Sequence, residues 1–326
     1  MKSDRAKVLH EIFFAPMIIH ILRTVQEVRP EKTVVIVGHQ RQAVMQALAD
    51  FPVEFAIQED QLGTGHAVLC AEEALQDQDG VVMILCGDTP LLKAETLRSM
   101  YQHHIEQGAV LTLMTTVLEN PTNYGRIISD ESGKVMAIVE EKDASEAQRR
   151  ITEINAGIYC VGQGFLFETL KTVGTQNSQG EVYLTDIVSL AVTAGLTVEK
   201  FVNPCPQDIL GVNSRVELAQ AHKEIQRRRN HQLMLDGITL HDPDTTAVSQ
   251  SVCVGRDTVL QAGVRITGNG TVGASCLIEA GALLHNCSLG DEVMIGAYSY
   301  LDGITCPASS IIEPHSIRRN THRPKV

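Results

Sequence analysis

The chain of 326 residues contains no tryptophan, and aromatic residues make up only 4% of it. Its 27 Lys and Arg stand against 39 Asp and Glu, a formal net charge of −12. Nucleic-acid platforms need a positive track, often interleaved with aromatic rings, so this composition excludes one. An acidic protein that handles phosphates must do so locally, with a few cations or a metal. No apolar run approaches the roughly 18 residues that a membrane span needs, and no signal peptide precedes the first helix. Eight cysteines occur without any Cys-x-x-Cys pair, most of them inside apolar runs. They read as buried free thiols of a reducing compartment rather than as disulfides or zinc ligands. A soluble, cytoplasmic protein is expected.

The length suits two domains, because single cores stop growing at roughly 250 to 300 residues. In the first half, apolar strands alternate with helices. A helix with Pro16 near its first turn carries Ile18, Ile19, Leu22 and Val25, and the strand Thr33 to Val37 ends in Gly38-His39. A helix over 40–49, a short strand over 54–57, a polar loop, a helix to Leu75 and the strand Val81 to Asp88 follow. Strands apolar on both faces, separated by helices, predict a parallel sheet covered on both sides, with ligands beyond the carboxyl ends of its strands. The loop Gln58-Glu59-Asp60-Gln61-Leu62-Gly63-Thr64-Gly65-His66-Ala67 lies at such an end. Its glycines permit close backbone approach, and the helix opening after it offers free N–H groups to polar or anionic ligands. A plain helix N-terminus capped by Thr64 is the alternative for these ten residues taken alone. From Ala109 to Val161 strands dominate, which reads as a substrate-facing extension. Arg215 to Leu235 reads as one long polar helix connecting two domains.

Beyond it the period changes. Apolar residues recur every six positions at Val248, Val254, Leu260, Ile266, Val272, Ile278 and Leu284, slip by one to Leu289, and resume at Ile295 and Leu301. Glycine follows four of them, as Gly255, Gly273, Gly290 and Gly296. A six-residue repeat is the mark of a parallel β-helix, whereas a β-sandwich would alternate with period two. Ten hexads amount to about three coils at three hexads per turn.

Several runs, taken in order, resemble one family. They are KVLH (Lys7 to His10), QEDQLGTGHA, LCGDTPL (Leu85 to Leu91), NYGRI (Asn123 to Ile127), IVEEKDA (Ile138 to Ala144), EINAGIY (Glu153 to Tyr159), GEVYLTDIV (Gly180 to Val188) and GVNSR (Gly211 to Arg215). Followed by hexapeptide repeats, they resemble the bacterial bifunctional N-acetylglucosamine-1-phosphate uridylyltransferase/glucosamine-1-phosphate acetyltransferase. The resemblance implies a Rossmann-like α/β nucleotidylyltransferase domain over residues 1–213, a linker helix over 214–236, a short left-handed parallel β-helix over 237–313 and a basic tail over 314–326. It implies UTP and N-acetylglucosamine 1-phosphate as substrates, Mg²⁺ as cofactor, UDP-N-acetylglucosamine for the cell wall as product, and a homotrimer built through the β-helix. By position, Gln58, Gly63 and Thr64 match the residues that read the uracil, and Lys7 matches a lysine acting on the phosphates. Asp88 and Asn213 match the pair that holds Mg²⁺, and Gly125, Glu140 and Asn155 match the contacts to the amino sugar.

The chemistry of these residue types is compatible with those roles. Bringing a sugar 1-phosphate against a triphosphate is opposed by charge repulsion, and a hard cation held by few protein oxygens suits the task. Gln58 can both donate to and accept from a pyrimidine edge. Other matches fail. The family's opening strand and glycine-rich loop, of the type LAAGxGTRM, does not precede Lys7, so the triphosphate cradle is expected to be incomplete and Arg5 alone cannot replace it. Cys86 stands where an aromatic residue is common, and Ala156 where threonine is. His315 and His322 fall in the tail outside the hexad register, and acetyl transfer is expected to be absent. A nucleotidylyltransferase for another sugar or base, and a non-catalytic sugar-nucleotide-binding homologue, remain the alternatives.

Overall fold

A computed structural model describes residues 1–76 and 80–320. The chain forms two compact units, one of Met1–His10 with Pro16–Ser214, the other of Glu11–Ala15 with Arg215–Val326. The first is α/β and the second is built on a parallel β-helix, as expected.

In the first unit the parallel sheet takes another form. Val34–Val37 and Glu54–Ile57 pair in parallel as a two-stranded sheet of their own. The remaining strands make a mixed six-stranded sheet around the long strand Glu153–Gly162, which runs antiparallel to Val81–Ile84 and to Leu111–Val117. Among the described strands there, only Val198–Val202 against Leu111–Val117 is parallel. The strands of 109–161 are therefore the body of the sheet and not an extension from it. Their side chains explain this, because Leu111, Leu113, Ile154, Ile158 and Val161 are all fully buried. Helices Gln163–Leu170 and Asp186–Thr193 cover one apolar cluster through Leu166, Leu170, Ile187 and Val188. Met17–Val28 and Ala94–Glu106 supply Ile21, Leu97 and Met100 to another.

The first helix begins at Met17 with Pro16 at its N-cap, where proline's fixed φ and missing N–H do no harm. Ahead of it lies a feature that the sequence did not suggest, a tight hairpin of Glu11–Ile12 and Ala15–Pro16. Its tip residues Phe13 and Phe14 are both left-handed, at φ 43° and 70°, a strained conformation for bulky side chains. Contacts within the second unit hold the tip. The Phe13 N–H donates to His222 Nδ1 at 3.1 Å, both rings meet the His222 imidazole edge-on, and the Arg265 guanidinium lies 4.8 Å from the Phe14 ring centre.

In the second unit the hexad residues stack as the period demands. Val248 pairs with Ile266 and Ile266 with Leu284, while Leu260 pairs with Ile278 and Ile278 with Ile295. The one-residue slip is absorbed without loss of register, since Val272 pairs with Leu289 and Leu284 with Leu301. These side chains fill the interior. The corner glycines are steric necessities, because a Cβ on Gly273 would lie 2.5 Å from the backbone of Gly290 in the next coil. The solenoid is also longer than the hexad count. It has two sheets of five strands and one of four, beginning at Thr239–Leu240. It runs on past residue 313, because Ile317–Arg319 pairs with Tyr300–Asp302. His315 thus lies in a coil corner, stacked on Tyr298 at 5.6 Å, and not in an unstructured tail. His322 lies outside the described residues.

The helix Arg215–Leu235 has its predicted bounds, but it groups with the solenoid instead of standing as a separate linker. It is polar around most of its circumference and draws support from charge pairs at helical spacing. Arg227 and Arg228 both hold Glu224, and the Arg227 hydrogen bonds bring its carboxyl down to about 2. Leu233 joins the solenoid core, and buried Asn230 donates to the carbonyls of Pro243 and Thr246. The helix so covers the first coil, an end that solenoids must cap.

Candidate active site

Three groups of residues converge at the ends of the first unit's strands. The first is Lys7, Asp88 and Asn213. Lys7 opens a short 3-10 turn, Asp88 follows the strand Val81–Ile84, and Asn213 lies just before the long helix. The Lys7 ammonium donates to Asp88 Oδ2 and to Asn213 Oδ1. Backbone ties the two oxygen donors together, because the Val212 N–H donates to the Asp88 carbonyl at 2.8 Å. A carboxylate and an amide oxygen thus address one cationic point. That donor set fits a hard divalent ion, which takes oxygen ligands, keeps several for water and phosphate, and needs few from protein. Among the described residues, no group of three His, Cys, Asp or Glu could hold a metal.

The second group is the glycine loop. Gln58 follows the strand Glu54–Ile57, and its amide nitrogen lies 3.1 Å from the Gly63 carbonyl and 3.1 Å from His66 Nδ1. The donor side of Gln58 is thereby spent on shaping the loop, and Oε1 is what it can offer a ligand. Gly63 sits at φ 109°, and a Cβ there would come within 2.6 Å of the Val182 carbonyl. No other residue suits that position. Thr64 does not cap its own helix, whose N-cap is Gly63. Its hydroxyl instead accepts the Leu184 N–H at 3.1 Å.

The third group is Gly125, Glu140 and Asn155. The Asn155 N–H donates to the Gly125 carbonyl at 2.9 Å, and a Cβ on Gly125 would lie 3.5 Å from Glu140 Oε2. Buried Asn155 donates to the Tyr159 hydroxyl at 2.6 Å and accepts from the Gly157 N–H at 3.1 Å. Gly157, at φ 72°, marks a bulge where the register against Leu111–Val117 shifts. Bulges beside sites re-aim side chains in this way. Burial raises the Glu140 carboxyl above the ordinary range; the Thr185 hydroxyl bond at 3.2 Å opposes this, while Asp143 and Asp186 reinforce it. Cys86 links the first and third groups, its thiol donating to the Gly157 carbonyl at 3.4 Å. Burial, reinforced by Asp88 and opposed by Lys7, pushes that thiol up to about 12, so it stays protonated and is no nucleophile.

All nine predicted site residues therefore fall into three clusters on one unit. Tyr159 was legible but missed, because it lies four residues beyond Asn155 on the same face of a strand. Thr185 had no such signal, standing 45 positions from Glu140.

The family model described as nucleotidyl transferase matches residues 2–220. A curated protein of Desulfotalea psychrophila named bifunctional protein GlmU is 50% identical over 312 residues, covering 96% of this chain and 92% of that one. The protein of the same name from Geotalea daltonii is 46% identical over 294 residues, and that from Pelobacter propionicus 43% over 317. This chain spans 64% and 68% of their respective lengths.

Proposed function

Because the chain belongs to the nucleotidyl transferase family, and with it to the proteins named bifunctional GlmU, we propose that this nucleotidyltransferase is a UTP-dependent sugar-1-phosphate uridylyltransferase making UDP-N-acetylglucosamine. The observation that carries the reading is the meeting of Asp88 and Asn213 oxygens on the Lys7 ammonium. A phosphate oxygen of N-acetylglucosamine 1-phosphate attacks the α-phosphorus of UTP, and the bond to the bridging oxygen breaks with loss of pyrophosphate. Little proton transfer is needed, so catalysis is positioning and charge neutralisation. Lys7 meets the phosphates, and Asp88 and Asn213 would hold Mg²⁺, which supplies the positive charge that the approaching anions require. Gln58 Oε1, with the backbone around Gly63 and Thr64, takes the uracil edge. Glu140 and Asn155 accept from and donate to the sugar hydroxyls beside Gly125. The proposal covers nucleotidyl transfer and leaves acetyl transfer out.

We further infer a cytoplasmic homotrimer joined through the solenoid. Among the described residues no helix is long and apolar enough to cross a membrane. Two outward faces of the solenoid carry Met294 and Ile311, and Leu283 and Ile317, all exposed. The third carries Cys253, Thr271, Ser288 and Thr305. Apolar columns of this kind are what further copies of the chain would cover. A monomer in sedimentation would remove this part of the reading.

Pyrophosphate release tests the reaction. The purified chain with UTP, Mg²⁺ and N-acetylglucosamine 1-phosphate should release it, and other sugar 1-phosphates or dTTP should serve poorly. Preference for another sugar or base would replace the substrates named here, and silence with every pair would refute catalysis by this chain.

A further inference from the structure

The run GEVYLTDIV, Gly180 to Val188, is among the motifs that carry the family resemblance, yet no role has so far attached to it. Its centre, Val182 to Thr185, touches two of the three site clusters at once. On one side it interleaves with the glycine loop. The Val182 N–H donates to the Leu62 carbonyl at 2.8 Å, the Gly65 N–H to the Val182 carbonyl at 2.8 Å, and the Leu184 N–H to Thr64 Oγ1 at 3.1 Å. On the other, side chains reach the loop that follows strand Val135–Val139. The Thr185 hydroxyl donates to Glu140 Oε1 at 3.2 Å and the Tyr183 hydroxyl to Asp143 Oδ2 at 3.2 Å. Tyr183, Leu184 and Thr185 are all buried, and Gly63 has no room for a Cβ against this segment. A close-packed segment cannot shift on one side without disturbing the other.

Resting on the uridylyltransferase reading above, we propose that Val182–Thr185 is a strap through which nucleotide and sugar 1-phosphate strengthen one another's binding, with Leu184 and Thr185 as positioning residues. Neither residue needs to touch a ligand for this. A sugar phosphate that fixes the Glu140 carboxylate fixes Thr185, the adjoining Leu184 peptide and through it the Thr64 hydroxyl. The nucleotide then meets a loop already ordered, and the ordering entropy is not lost twice. Linkage makes the effect reciprocal, so uracil bound at the loop must raise the affinity of the sugar side by the same factor. Measured couplings of this kind begin at about fivefold.

The test is amide hydrogen exchange on the full chain with one ligand at a time, since each ligand's reach across the strap is then isolated. N-acetylglucosamine 1-phosphate alone should slow exchange at the Gly65 amide about fivefold, and UTP with Mg²⁺ alone should slow the Asp143 amide, which donates to the Glu140 carbonyl. Thr64→Val removes the acceptor for Leu184 while keeping the shape of the side chain. It should abolish both cross-effects and raise the KM for the sugar phosphate about fivefold. Thr64→Ser, which keeps the hydroxyl, should restore both. Thr185→Val should lose the same cross-effects from the other side. If each ligand protects only its own cluster in the wild-type chain, or if Thr64→Ser behaves as Thr64→Val does, the strap is refuted and the uridylyltransferase reading stands. If neither ligand protects any amide, the uridylyltransferase reading itself fails and the strap with it.

Discussion

In the solenoid a buried side chain rests on its counterpart one coil away, Ile266 on Leu284 and Leu284 on Leu301. In the nucleotidyltransferase unit the decisive partners are remote, with Lys7 81 positions from Asp88 and 206 from Asn213. The solenoid is held by repetition of one local rule, so its stability is a sum of similar interfaces. The candidate site is an assembly of single meetings between remote residues, with the Lys7–Asp88 pair partly open to water. Stability and activity should therefore separate along the chain, with solenoid changes lowering the first and site changes the second.

The sharpest separation is expected at Asp88. Asp88→Ala should lower Mg²⁺-dependent pyrophosphate release at least about a thousandfold, about 4 kcal/mol in barrier, with an unfolding midpoint close to wild type. Retained turnover would remove Asp88 from the metal role. Leu284→Ala is its mirror image. Emptying a fully enclosed solenoid position should lower the free energy of unfolding by about 3 kcal/mol in denaturant titrations, while kcat of the folded fraction is unchanged. Gly273→Ala should follow with a loss of about 2 kcal/mol, because its Cβ would press on the backbone of the next coil.

Glu140 blurs the comparison in an informative way. Its carboxyl is raised by burial, so the ionised form strains the fold. That penalty is absent below the ordinary carboxylate pKa, grows as pH rises from there to the raised pKa, and is complete above it. Glu140→Gln should leave stability at pH 7 equal or slightly higher, yet raise the KM for the sugar phosphate about tenfold, worth about 1.4 kcal/mol. In the wild type that KM should climb as pH falls through the raised pKa, and in the variant it should be flat. A KM that stays pH-dependent in Glu140→Gln would assign the titration to another group.

How much of this was legible follows from the same contrast. A six-residue period can be read one side chain at a time, so Val248 through Leu301 disclosed both the solenoid and its register. It was still undercounted, because Cys306 continues the interior column as a small sulfur side chain and Ile312 follows a corner with proline. The nine candidate site residues were nameable because their neighbours in sequence form motifs, yet nothing in those motifs tells that the Gln58 amide is spent on Gly63. The mixed sheet was misread as parallel because apolar runs such as Val81–Ile84 look alike whichever way the next strand runs. Direction is decided by Glu153–Gly162, far along the chain. Thr185 escaped for the same reason, its partner lying 45 positions away, beyond two helices and the strand Glu153–Gly162.

The hairpin tip at Phe13 and Phe14 has a consequence for how such a protein can be inherited or rebuilt. The second unit is written in two instalments, Glu11–Ala15 and then everything after Ser214. A recombination breakpoint near residue 214 therefore does not deliver a self-sufficient C-terminal module. The recipient would inherit His222 without the N–H that it accepts and Arg265 without the ring it covers. A graft that is to keep both must carry Glu11–Ala15 as well.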